Sequence, residues 1–355
     1  MATPTTDQPV APSNASFDGL IADPEGLQAW FDAHVPGPSA PVVLEKVKGG
    51  ASNILFKARR GKATFALRRP PRAANDPSAN NMTREIQLLG ALAATPVRHA
   101  RMIAASSDPG PVGAPFVVMA WVDGFTPWDP MPEPFATAPA VRRQMGFEVV
   151  EALADVANLD WKAIGLEGFG KPDGFLERQV DRWLGQLARY KIREIPHLDA
   201  VATWLRANTP QTQRVGLMHG DYSFANVMFA PTTPARLAAI VDWESATIGD
   251  PLVDLGHLLG GWEDETSGPT WAKFTDFRLG FPSRAEIASR YAQLTGLSVD
   301  RLDFYIALAL FKLGIIMEGA YARYTAGKSD LPQHKAMETT VPIMIAQAAR
   351  TAGLT

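Results

Sequence analysis

Two stretches of the chain carry different periodicities. From Pro41 to Val122 apolar residues come in short runs separated by turn formers. Pro41–Val47 and Ile54–Arg59 flank Lys48-Gly49-Gly50-Ala51-Ser52-Asn53, so two strands joined by a turn are expected. Thr64–Arg68 reads as a further strand, and Phe116–Trp121, a compact apolar run, as a buried one. Between them Asn81 is a candidate cap for a helix through about Leu92, with Ile86, Leu89 and Ala93 on one face.

After Asp123-Gly124 helical spacing takes over. Met145, Val149, Ala152 and Val156 mark one face of an amphipathic helix, and Phe175–Tyr190 and Arg301–Tyr324 read the same way. The exception lies between Val215 and Glu244. There Val227–Phe229 and Leu237–Val241 flank Ala230-Pro231-Thr232-Thr233-Pro234, which suggests a hairpin embedded in helical surroundings. The expected fold class is α+β: a small antiparallel sheet lobe over residues 19–122, then a larger, mainly helical lobe over 123–355, with a ligand cleft between them. Residues 1–18 are polar and rich in Pro, Thr, Ser and Asn, and read as a flexible tail rather than a secretory signal. The most apolar stretch, Tyr305–Met317, is interrupted by Lys312 and is shorter than the ~20 residues that span a bilayer, so no membrane role is expected.

Composition sharpens this mainly by exclusion. The 355 residues are 46% apolar and 20% charged, an ordinary globular balance. With no cysteine, a disulfide framework, thiolate metal ligation, an Fe–S centre and a cysteine nucleophile are all excluded, and a reducing cytoplasm is the compartment that fits. A net charge of −3, from 34 basic and 37 acidic residues, gives no global field toward nucleic acid, so no nucleic-acid partner is expected. Oligomeric state stays open.

The candidate chemistry sits on the embedded hairpin. Its first end carries His219-Gly220-Asp221-Tyr222-Ser223-Phe224-Ala225-Asn226, and its second end Asp242-Trp243-Glu244. A returning strand brings Asp242 beside Asn226, and such oxygen donors suit a hard cation such as Mg²⁺. Asp221 is then left to accept a hydroxyl proton. His219 reads as a brace for the loop, Asp250 and Asp254 as capping groups, and Glu244 as either a second cation contact or a cap. Ala322 through Gly327-Lys328-Ser329 mimics a P-loop, but it follows a helical stretch and runs into Asp330-Leu331-Pro332 where a P-loop would open a helix. The remaining histidines have no metal-ligand spacing.

The Asp221-to-Asn226 spacing resembles the eukaryotic-kinase-like catalytic loop, and the whole segment resembles the aminoglycoside phosphotransferase and choline kinase-like family, whose loop reads H-G-D-x-x-x-x-N. Over Pro41–Gly327 further elements follow the family order. Gly49–Asn53 matches its phosphate-covering hairpin, and Phe65-Ala66-Leu67-Arg68 its strand that normally carries a Lys. Arg84-Glu85 matches the start of the helix whose Glu pairs with that Lys, and Met119–Gly124 the adenine hinge. The resemblance implies a bilobal protein-kinase-like fold. It implies that Gly50, Ser52, Asn53, Arg68, Glu85, Ala120 and Val122 serve ATP, that Asn226 and Asp242 hold Mg²⁺, and that Asp221 is catalytic. Arg68 departs from the family Lys: it keeps the charge but presents a planar fork.

Leu67-Arg68-Arg69-Pro70-Pro71, Gly165-Leu166, Arg182-Trp183 and Glu318–Arg323 resemble the branch fused to some acyl-CoA dehydrogenases, similar to kinases of hydroxyacyl-CoA thioesters. The expected partner is a small-molecule alcohol. A hydroxyacyl-CoA would use Arg278, Arg284, Arg290 or Arg323, whereas an aminoglycoside would use the acidic run Glu263-Asp264-Glu265. A nucleotide-binding module without turnover and a metal-dependent phosphohydrolase are the competing readings.

Overall fold

The computed structural model describes residues 19–47, 53–71, 82–127, 130–268, 270–272 and 275–355. Lys48–Ser52 and Asn81 therefore lie outside the described residues, including Gly50 and Ser52 of the expected phosphate-covering hairpin. The chain divides into two compact units. One runs through Ala94 and resumes at His99–Val122; the other comprises Thr95–Arg98 and Asp123–Thr355.

In the first unit, β1 (Val42–Lys46), β2 (Ile54–Arg60), β3 (Ala63–Arg69), β4 (Met102–Ser106) and β5 (Phe116–Ala120) form a sheet in the order β1-β2-β3-β5-β4. Every pairing is antiparallel, with Phe56 opposite Leu67 and Leu67 opposite Val118. Strand alternation thus collects Leu44, Phe56, Ala58, Phe65, Leu67, Phe116 and Val118 into one apolar cluster. A helix that the sequence reading left out, α1 (Pro24–His34), covers this cluster with Leu27 and Phe31. Asp23 caps it by accepting the Gly26 N–H, and Pro24 sits in its first turn. Its other end is tied to the sheet by the buried Arg60, which donates to the Val35 carbonyl at 2.7 Å and to Asp32 at 2.7 Å. The second helix, α2 (Met82–Leu92), buries Met82, Glu85, Leu88, Leu89 and Leu92. The stripe is displaced from the expected Ile86–Leu89–Ala93 face, and it includes a carboxylate.

The second unit is organised on α8 (Leu302–Thr325), a 24-residue helix apolar on nearly every side. By length and composition α8 could cross a membrane, but 78% of its most apolar window is buried, as in a core helix. Around it pack α4 (Gln179–Leu187), α5 (Leu198–Ala207), α6 (Leu252–Gly260) and α9 (Pro332–Thr351), while α3 (Pro139–Ala157) pairs with α7 (Arg284–Thr295). Met145, Val149, Ala152 and Val156 are all buried on α3, as their spacing predicts. Glu318, fully buried on α8, receives a bidentate fork from Arg193, and a Cβ at Gly319 would stand 3.0 Å from the Tyr190 ring. The Glu318-Gly319 pair therefore seats the segment after α4 against α8. Thr95–Arg98 joins this unit because Arg98 pairs with Glu148 at 2.7 Å and accepts the Ile240 N–H at 2.9 Å through its carbonyl.

Two short sheets interrupt the helices. β7 (Val227–Phe229) and β8 (Leu237–Ile240) form the expected hairpin. β6 (Gly216–Met218) and β9 (Thr247–Gly249) form a second antiparallel pair not foreseen from the sequence, since three-residue strands carry no readable alternation.

Candidate active site

In the first unit, β3 turns Leu67 into the core and Arg68 to the opposite face, where α2 lies. The Arg68 guanidinium donates to the Glu85 carboxylate, and the two side chains are 11% and 3% exposed. A carboxylate buried in an apolar helix stripe requires a partner of this kind. Arg68 is accordingly not a solvated strand residue. Ala120 ends β5, its N–H donating to the Arg101 carbonyl at 2.8 Å, and Val122 is the last residue of the unit. The ring of the intervening Trp121 lies 4.5 Å under the Lys57 ammonium. Asn53 precedes β2 and is partly buried.

In the second unit, β6 delivers His219 and the loop that follows. Gly220 has φ +81°, and a Cβ there would stand 2.3 Å from the Ser245 carbonyl oxygen, so the turn admits only glycine without displacement. Asp254, on α6, accepts the backbone N–H of His219 at 2.6 Å and of Gly220 at 2.9 Å. Its neighbour Asp250 accepts the Leu252 N–H at 3.0 Å and the Tyr305 hydroxyl at 2.9 Å. Both aspartates therefore brace the loop and the start of α6. His219 is fully buried, with Nε2 donating to the Val241 carbonyl at 2.9 Å and Nδ1 accepting the Asp221 N–H at 3.3 Å. Burial lowers its pKa, which the nearby Asp254 and Asp221 charges only partly oppose. His219 is a neutral brace that ties the loop to the end of β8.

That tie sets the geometry of the candidate site. A 3-10 turn, Phe224–Asn226, leads into β7. The hairpin then returns so that the Val241 N–H donates to the Asn226 carbonyl at 2.9 Å, which places Asp242 next to Asn226. Asp242 itself adopts a left-handed backbone, φ 67° and ψ 59°, a conformation uncommon outside glycine and often found at functional positions. Asn226 donates its side-chain amide to both the carbonyl and Oδ2 of Asp221, each at 2.8 Å. Its amide oxygen is therefore the end turned to any cation. Among the described residues no three His, Asp or Glu side chains converge as a metal site. Asn226 and Asp242 offer two hard oxygen donors, which fits Mg²⁺, an ion that completes its shell with water and phosphate oxygens.

Two residues that sequence reasoning did not assign also meet the Gly220-Asp221 loop. His257, almost fully buried on α6, approaches Oδ1 of Asp221 with Nε2 at 3.2 Å. Lys312, on α8, donates its ammonium to the Gly220 carbonyl. Burial alone would raise the Asp221 pKa. The hydrogen bond from His257 and the nearby charge of Lys312 outweigh it and hold the carboxyl far below the usual range. Asp221 is thus an ionised acceptor whose Oδ1 and Oδ2 are each already oriented by one donor. His257 follows Asp254 by one helical turn, and Lys312 is the lone cation in the apolar run Tyr305–Met317. Both signals were present in the sequence.

Most charged groups expected to recognise the acceptor are engaged within the fold. Arg278 pairs with Glu263 at 2.6 Å and with Asp276, and Arg290 pairs with Glu151 at 2.6 Å. Arg284 donates to the Trp262 carbonyl at 2.8 Å. Asp264 accepts from Thr266, Ser267 and the Arg284 N–H, closing a local turn.

Comparison with known proteins adds three findings. The APH family profile, described as a phosphotransferase enzyme family, matches residues 43–288. Acyl-CoA dehydrogenase family member 11 of Homo sapiens is 30% identical over 316 residues, 86% of this chain, and the chain spans only 40% of that relative's length. This agrees with the branch expected from the Leu67–Pro71 and Glu318–Arg323 segments. Among solved structures, a Ralstonia eutropha JMP134 protein provisionally named an aminoglycoside phosphotransferase matches with a TM-score of 0.80 and 32% identity, over 93% of this chain and 98% of its own. The GDP complex of aminoglycoside 2'-phosphotransferase-IIIa shares the fold at a TM-score of 0.60 and 14% identity, over 91% and 97% of the two chains.

Proposed function

The chain belongs to the APH phosphotransferase family, and from that premise we propose that it is a small-molecule kinase, moving the γ-phosphoryl group of ATP to an alcohol with the help of Mg²⁺. The observation that carries the reading is the Asp221–Asn226 hydrogen bond beside Asp242. The loop thereby holds an ionised, oriented carboxylate, with the oxygen donors of Asn226 and Asp242 side by side next to it.

Asn226 would hold Mg²⁺ through its amide oxygen and Asp242 through its carboxylate. When bound, the ion supplies neutralisation of phosphate charge. The chain's own residues do the rest. Asp221 accepts a hydrogen bond from the acceptor hydroxyl, fixes its direction of approach, and takes its proton as the new O–P bond forms. Asn226 keeps the Asp221 carboxylate from rotating, through the bond to Oδ2. Arg68, held by Glu85, is proposed to contact nucleotide phosphates through its guanidinium.

For the acceptor we favour a hydroxyacyl-CoA over a polycationic aminoglycoside. The acidic run that would meet a polycation is drawn into the fold at Glu263 and Asp264, and a lysine stands beside Asp221. Arg278, Arg284 and Arg290 are engaged as well, so the thioester assignment rests on the acyl-CoA dehydrogenase relatives rather than on those arginines. The test is ATP consumption with Mg²⁺ against a panel of hydroxyacyl-CoAs, aminoglycosides, choline-like alcohols and sugars. Acceptor-dependent ADP formation supports the kinase. ATP loss without any acceptor points to a phosphohydrolase, and binding without turnover to a nucleotide-binding module.

A further inference from the structure

A lysine in the middle of an apolar core helix needs a reason. The sequence of α8 around Lys312 is Ala309-Leu310-Phe311-Lys312-Leu313-Gly314-Ile315, and the flanking side chains are buried. Bringing an ammonium into such surroundings costs several kcal/mol unless compensated. The compensation here is partial. The side chain is mostly buried, its hydrogen bond goes to the Gly220 carbonyl, and it forms no carboxylate ion pair within 4.0 Å among the described residues. Its ammonium also lies 5.7 Å from the Trp183 ring centroid, a weak cation–π contact. Burial lowers the pKa of the ammonium below its ordinary value, an effect that the Asp221 and Asp254 charges only partly oppose.

A neutral amide could satisfy the Gly220 carbonyl equally well. What lysine adds is a positive charge, and the group next in the chain to Gly220 is Asp221. We propose that Lys312 is a positioning residue for phosphoryl transfer. Its ammonium pins the Gly220 carbonyl, and so the loop that orients Asp221. It also keeps a fixed positive charge beside the Asp221 carboxylate while that anion and the phosphate anion are brought together. The inference rests on the kinase reading above and adds a component from α8, a helix outside the H-G-D-x-x-x-x-N segment. His257 and Asn226 orient the carboxylate by hydrogen bonds; Lys312 differs in contributing charge.

The test separates charge from packing and from the hydrogen bond. Lys312→Gln keeps a donor for Gly220 but removes the charge, Lys312→Met removes both, and Lys312→Arg keeps both. Each full-length variant is assayed for Mg-ATP consumption with water and with 3-hydroxybutyryl-CoA as acceptors, alongside thermal melting. The expected result is a kcat lower by about 10²-fold in both Gln and Met variants, in line with removal of one preorganised electrostatic group. KM for Mg-ATP should stay within about twofold, and the Arg variant should recover much of kcat. Wild-type kcat in the folded Gln variant overturns the charge role. So does an Arg variant as impaired as Met while melting like wild type. A wild-type protein that consumes no ATP with 3-hydroxybutyryl-CoA or with any other acceptor of the panel overturns the kinase reading, and this inference with it.

Discussion

Breaking the Arg68–Glu85 pair tests whether an arginine on β3 does more than hold α2 in place. The two side chains are 11% and 3% exposed, so neither charge is well hydrated. Removing one member of a buried pair leaves the other charge without this partner, at a cost of about 3–5 kcal/mol. Arg68→Ala and Glu85→Ala should each lower stability by that amount in urea unfolding of the first unit. The Arg68→Met/Glu85→Leu double variant should recover most of it, because replacing both charges by apolar groups is close to neutral. Catalysis should not follow stability. If the Arg68 fork reaches nucleotide phosphates, the double variant stays defective despite its recovered fold. A lost charge-assisted hydrogen bond of about 1.5–3 kcal/mol predicts kcat/KM for Mg-ATP lower by roughly 10- to 150-fold. Arg68→Lys should fall between wild type and Ala, since the charge returns without the fork. The assays are urea titration and steady-state kinetics with Mg-ATP varied. A double variant with restored stability and wild-type kcat/KM would show that Arg68 only supports α2, and would refute its phosphate role.

Asp242→Ala should weaken nucleotide binding when Mg²⁺ is present and leave metal-free binding nearly unchanged; calorimetry showing equal losses in both conditions removes Asp242 from the cation site. Gly220→Ala should lower stability by about 2 kcal/mol or more and depress turnover, because the residue is left-handed and its new Cβ meets the Ser245 carbonyl at 2.3 Å. Urea unfolding indistinguishable from wild type would show that the loop relaxes freely. Glu286, bonded to Arg143 and to the Ser283 N–H in a capping box, has its pKa lowered to about 2. Its contribution is therefore complete above the ordinary carboxylate range and is lost as pH falls toward about 2. With 43% of the side chain exposed that contribution is ~1 kcal/mol or less, so the stability gap to Glu286→Gln should be small at pH 7 and close on acidification. A gap that widens with acid contradicts the assignment.

Sequence legibility followed the range of each interaction. Asp221 and Asn226 meet within one loop, and a short hairpin returns Asp242 beside them, so spacing alone located them. Arg68 and Glu85 were legible through the family resemblance, which pairs a strand cation with a Glu in the first turn of the next helix, and the two side chains do meet. His257 and Lys312 were not, because α6 and α8 bring them to the loop from far along the chain; Lys312 and Gly220 are 92 positions apart. No local period encodes such a meeting. What the sequence did offer was an anomaly, a cation inside an apolar helix. Several charged residues expected at the acceptor side show the converse. Arg278, Arg290 and Glu263 look available in a list of residues, yet each finds a partner within the fold. Helix α1 was missed although Asp23-Pro24 is a start signal, because its buried pair Leu27 and Phe31 is too short a stripe to stand out.

The most direct test of the central claim is a ³¹P NMR time course with Mg-ATP and the acceptor panel, run on wild type and on Asp221→Asn. The amide keeps the shape of the carboxylate but accepts the hydroxyl proton poorly. The account predicts that wild type converts the ATP γ-phosphoryl resonance into a new phosphomonoester resonance with stoichiometric ADP. Asp221→Asn should bind Mg-ATP with unchanged affinity and form no ester. Ester formation by Asp221→Asn at a rate comparable to wild type, or only orthophosphate from wild type with every acceptor, would contradict it.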